Sequence, residues 1–130
     1  MKKVFLVICI LFGISTLTGC SEEPLDERFD AEILEQTTIS IIENLNSQNY
    51  DSIESLVRED LQDILSVSII EKAWEPIQVN LGEYEENYHC IMKSNGDNTS
   101  VTIVAEYENR KLNVTANYNL DMNLIGLYIK

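Results

Sequence analysis

Histidine is almost missing from this chain of 130 residues, where His89 stands alone. A multi-histidine metal centre is therefore excluded, and a histidine-based catalytic site is poorly supplied. Basic side chains are scarce too, 9 Lys and Arg against 22 Asp and Glu, for a net charge of −13. A nucleic-acid binder needs a basic face to neutralise phosphates, so that class is excluded as well. No apolar run reaches the roughly 20 residues that span a bilayer core. The sequence holds no glycine-rich phosphate loop, serine elbow, metal-spaced Cys/His set, internal repeat or low-complexity tract. A chain this short allows one domain, not two.

What is present begins at the N-terminus. Lys2 and Lys3 precede Val4–Leu17, 14 mostly apolar positions broken only by Gly13, Ser15 and Thr16. That length suits the core of a secretory leader. Leu17-Thr18-Gly19-Cys20 follows and resembles the lipobox of bacterial lipoproteins. Small residues ahead of the cut fit a signal peptidase, and the Cys20 thiol can take a diacylglyceryl thioether. Leu17, Gly19 and Cys20 are thus the expected peptidase-recognition residues, with Cys20 lipidated.

Cleavage before Cys20 removes residues 1–19 and leaves 111 residues with 7 basic and 22 acidic side chains, a net of −15. Two acyl chains anchor stably where one is marginal. The expected address is the extracytoplasmic side of the cell membrane, or an outer membrane in a double-membraned host. Cys9 leaves with the leader and Cys20 is acylated, so Cys90 is expected as an inert buried thiol and no intrachain disulfide is expected.

Residues 20–28 read as a lipidated cysteine and acidic tether, and 29–130 as a single domain. From Phe29 to Leu45, the positions Phe29, Ile33, Leu34, Ile41, Ile42 and Leu45 recur at three- and four-residue steps, predicting an amphipathic helix. Tyr50–Val57 predicts a short second helix, capped by Asp51 or Ser52. A third is capped by Ser66 or Ser68, carries Ile70, Trp74, Ile77 and Leu81 on one face, and stops at Gly82. Pro76 should kink it.

After Gly82 the period falls from about 3.6 to 2. Tyr84, Tyr88, Cys90 and Met92 make one face of a first strand, and Asn95-Gly96 signals a hairpin. Alternation resumes through Val101–Tyr107, Leu112–Tyr118 and Leu124–Ile129. Helices first and strands second predict an α+β fold, with helices packed on one face of a four-stranded antiparallel meander.

These residues carry a resemblance. Asn49-Tyr50-Asp51-Ser52-Ile53, Trp74, Leu81-Gly82 and the terminal Leu124-Ile125-Gly126-Leu127-Tyr128-Ile129 resemble the domain-of-unknown-function family 3887, over roughly Phe29 to Lys130. Such domains look like the nuclear transport factor two-like, or cystatin-like, cone, with helices wrapped on a curved sheet. The resemblance implies a pocket between helices and sheet, and it transfers no catalytic residue. Pro76 and the few glycines in the last two turns depart from the usual pattern.

Chemistry-bearing sets are few. His89 and Cys90 are adjacent on a strand and point to opposite faces, so they form no dyad. Trp74, Tyr84, Tyr88, Tyr107 and Tyr118 are the candidate pocket lining, although aromatic residues at such positions more often fill a core. Asp26, Glu27, Asp30, Glu32 and Glu35 read as a solvated acidic face, not a calcium loop. The expected function is a non-enzymatic accessory domain needing no cofactor, which binds a small apolar ligand or an envelope protein. The alternatives are a small-pocket isomerase, dehydratase or hydrolase, whose base a helix would have to supply, and a dimerising structural partner.

Overall fold

The computed structural model describes residues 21–22 and 25–130. The leader and the Leu17–Cys20 motif lie outside the described residues. The elements run β1 (Ser21–Glu22), α1 (Ala31–Asn46), α2 (Tyr50–Glu54), a 3-10 turn (Glu59–Leu61), α3 (Val67–Gln78), β2 (Tyr84–Asn95), β3 (Asn98–Tyr107), β4 (Lys111–Tyr118) and β5 (Leu124–Ile129). The chain is α+β, with helices ahead of a four-stranded antiparallel sheet. β1 adds a short fifth strand, parallel to β2, with Ser21 opposite Ile91 and Glu22 opposite Met92. It covers part of a strand edge whose backbone groups would otherwise face water.

α1 starts where Asp30 accepts a hydrogen bond from the Ile33 amide at 3.1 Å, satisfying one of the first-turn donors. Its buried stripe is Leu34, Thr38, Ile41, Ile42 and Leu45. Phe29 is buried ahead of the helix, but Ile33 is 53% exposed. Thr38, one turn beyond Leu34, completes the stripe, and Ile33 falls to its side. α2 ends at Glu54, short of the expected Val57, and no side chain caps its start. Ser66 caps α3, and the Glu54 carboxylate, reaching from α2, accepts from the Val67 amide at 2.7 Å. Pro76 lies in the last turn of α3, so the backbone bond it forgoes falls at the helix end.

Gly82 has φ +77, and a Cβ there would stand 2.6 Å from the Glu108 carboxylate. Only glycine meets both conditions, and it brings the helical half against the β3–β4 turn. β2 and β3 join through Gly96 (φ +65) and Asp97, a two-residue hairpin with glycine at the first central position. The β4–β5 turn is held by Asn119, whose side-chain oxygen accepts from the amides of Asp121 and Asn123.

The core lies between the helices and the inner sheet face. Val101, Ile103, Ala105 and Tyr107 of β3 alternate with half-exposed residues, as do Leu112, Val114, Ala116 and Tyr118 of β4. Trp74 and Leu81 are buried against this layer. The helical half is also fastened to the last strand: Leu124 donates to the Leu56 carbonyl (2.8 Å) and accepts from the Arg58 amide (3.0 Å).

Two expectations change. Cys90 is buried but, in the full 130-residue chain, disulfide-bonded rather than a thiol as expected after processing, and its partner lies outside the described residues. The stretch read as a tether is partly docked. Arg28 pairs with Asp26 at 2.8 Å and with Asp97 at 3.0 Å, and the Asp26 amide donates to Ser94 Oγ. The Arg28 guanidinium holds the Asp26 carboxyl down at about 2.

Candidate functional site

Glu35, Ile39, Glu43 and Asn46 recur at steps of four, four and three, so they form one stripe along the flank of α1. Beside it runs the first part of β2, where a bulge interrupts the ladder. Tyr84 pairs with Tyr107, and the next pair is Tyr88 with Ala105, so three residues of β2 oppose only Glu106. Two of those three are extra. Glu86 takes a positive φ of 56° within this bulge. Because two residues are inserted, the alternation of faces is kept, and Tyr84 and Tyr88 both stay on the helix side.

Between stripe and bulge lies an open cleft of about 510 Å³, lined by Ile39, Glu43, Asn46, Ser47, Tyr84, Glu86 and Tyr88. Two hydrogen bonds tie α1 to the sheet on either side of Ile39 and Glu43. Tyr88 donates to the Glu35 carboxylate at 2.9 Å, and Tyr107 donates to Asn46 Oδ1 at 2.6 Å. Tyr107 also backs the cleft, its ring 5.1 Å from that of Tyr84 and tilted by 40°.

The phenols are held protonated. Burial pushes Tyr107 up to about 12. Tyr84 is raised by burial first and then by Glu43 and Glu86; Tyr88 is raised by burial and by its bond to Glu35. At neutral pH they are hydrogen-bond donors rather than bases or nucleophiles. Ion pairs leave the cleft alone: those among the described residues join Arg28 to Asp26 and Asp97, Arg58 to Asp60, and Lys111 to Glu106.

The aromatic residues expected to line a pocket divide into two groups. Tyr84 and Tyr88 line the cleft, and Tyr107 stands behind it. Trp74 and Tyr118 are wholly buried in the filled interior, where Tyr118 meets Thr38 of α1. The opening thus sits at the rim of the helix–sheet sandwich, not at its centre. His89 is exposed on the opposite face of β2 from Cys90. Among the described residues no three His, Cys, Asp or Glu side chains gather to hold a metal ion, and no helix is long and apolar enough to cross a membrane.

Sequence reasoning missed Ile39, Glu43 and Glu86. Ile39 and Glu43 flank a stripe that was traced only through its apolar core. The bulge leaves a trace in Glu85-Glu86-Asn87, three residues with poor strand propensity between two tyrosines.

The fold has a solved counterpart. An NMR structure of a protein from Ruminococcus gnavus ATCC 29149 superposes with a TM-score of 0.61, covering 80% of this chain and 94% of that one at 24% identity. The likeness is one of fold. No curated protein matches the chain. A family model described as "Protein of unknown function (DUF3887)" matches residues 39–127, well over half of the sequence, and the chain belongs to that family.

Proposed function

We propose that this chain is a bacterial lipoprotein whose domain, a nuclear transport factor two-like cone, is displayed at the cell envelope and binds a small ligand without catalysis. The observation that carries the binding half is the cleft between α1 and the β2 bulge, whose volume lies within the roughly 300–1,000 Å³ usual for small-molecule sites. Its walls combine Ile39 and two tyrosines with a few polar groups, as such sites do. The lining offers protonated phenols, an amide and two exposed carboxylates, a set suited to holding a ligand. Native mass spectrometry of the protein extracted from its host should show a retained small molecule. A bare polypeptide mass, with a protein partner or none, overturns the small-ligand reading.

The address rests on Leu17-Thr18-Gly19-Cys20 behind an apolar leader. Cys20→Ala should release the protein from membranes and abolish lipid labelling; full membrane retention overturns the anchor. Cysteine chemistry adds a second check. Processing removes Cys9 and acylates Cys20, so the Cys90 disulfide belongs to the full 130-residue chain, and the processed lipoprotein would carry Cys90 as a thiol. Finding a Cys90 disulfide within the mature protein extracted from membranes overturns the anchor.

A further inference from the structure

The cleft described above has an electrical character that narrows its ligand. Glu43 on α1 and Glu86 on β2 line it from both walls, and neither carboxylate takes part in an ion pair or a side-chain hydrogen bond among the described residues. A third acid, Glu35, accepts from Tyr88 at the rim. No lining residue is basic. Between the acids lie apolar and aromatic surfaces, from Ile39, Tyr84 and Tyr88.

A neutral body filling this space would strip water from Glu43 and Glu86 and return nothing for it, which is costly for ionised groups. An anion would meet two like charges on a chain of net −13. A cation with an apolar body compensates both carboxylates and rests its hydrocarbon on Ile39 and the tyrosine rings. Aromatic rings add an attraction of their own for such cations. We propose that the cleft is selective for organic cations, of the alkyl- or aryl-ammonium class, with Glu43 and Glu86 flanking the charge and Ile39, Tyr84 and Tyr88 holding the body. This rests on the reading of the cleft as a ligand site. Glu43, Glu86 and Tyr84 line the same cleft, and the two carboxylates add to burial in raising the Tyr84 phenol.

The test uses the full chain in detergent, with benzyltrimethylammonium as probe and neopentylbenzene as its uncharged isostere, followed by chemical shifts of Ile39, Tyr84 and Tyr88. The cation should move these signals and the isostere should bind about tenfold more weakly or worse. Glu43→Gln with Glu86→Gln, both at exposed positions, should lower cation affinity about tenfold, leave the melting temperature in place and flatten the salt dependence. Equal binding of the isostere, or full affinity in the double variant, overturns cation selectivity while leaving a ligand cleft. Absence of any shift with the cation also overturns the proposal; whether some other molecule occupies the cleft is read independently from the native mass.

Discussion

Thr38 Oγ1 of α1 and the Tyr118 hydroxyl of β4 stand 2.8 Å apart, and both side chains are wholly buried. Thr38 also donates to the Leu34 carbonyl at 2.8 Å. A threonine has one hydroxyl proton, so the proton between Thr38 and Tyr118 belongs to the tyrosine. Thr38→Val, similar in shape, removes the acceptor that Tyr118 has among the described residues and should cost about 1–3 kcal/mol by leaving a buried donor unsatisfied. Adding Tyr118→Phe should recover part of that loss, since no orphan is then left. Urea denaturation of both single variants and the double variant measures the coupling. Additive losses would mean the two groups do not depend on each other.

Alkali should act on the same region. Burial pushes Tyr118 and Tyr107 up to about 12 from an ordinary 10.0. The folded chain therefore holds these protons more tightly than the unfolded one. Their contribution is complete below about pH 10 and is lost as pH rises from about 10 to 12. Tyrosinate absorbance followed alongside circular dichroism should show the two phenols ionising together with unfolding. Free ionisation near 10 in a folded protein would contradict their burial.

Acid should act at the other end of the chain. Arg28 lowers Asp26 from 3.8 to about 2, so this pair contributes above about pH 4 and is lost as pH falls from there toward 2. The pair is exposed, and the expected readout is local rather than global. Carboxyl shifts should titrate Asp26 near 2, and Arg28→Gln should return it toward 3.8. An unchanged titration in that variant would show that Arg28 is not what lowers Asp26.

Trp74 fills the interior while its indole N–H has no partner among the described residues. Trp74→Ala should lose about 3–5 kcal/mol as a large-to-small core change. Trp74→Phe should lose far less, because it removes an unsatisfied donor together with some volume. Chemical denaturation separates the two. Equal losses would show that the indole N–H is bonded in solution.

Much of the fold is legible in local pattern. The change of period at Gly82, the cap at Ser66 and the hairpin at Asn95-Gly96 each depend on neighbours a few residues apart. The parts that escape such reading are made by distant residues. Glu54 caps a helix thirteen positions away, and nothing near Val67 announces it. Tyr88 keeps its inward face and yet is 37% exposed, because it borders the open cleft. The cleft is illegible for the same reason: four of its lining residues come from α1 and its end, three from β2, and neither segment alone describes a concavity. Cys90 shows the limit most sharply, since a buried strand position cannot announce a disulfide.

The bonds that fasten Leu124 to Leu56 and Arg58 bear on how the molecule is born. A ribosome makes the helical segments first, and three strands separate them from the strand they need. Leu124 must be translated and clear the exit tunnel before Leu56 and Arg58 can find their partner. A nascent chain halted before Leu124 would leave the Leu56 carbonyl and the Arg58 amide without these partners, its helical half unfastened and open to chaperones.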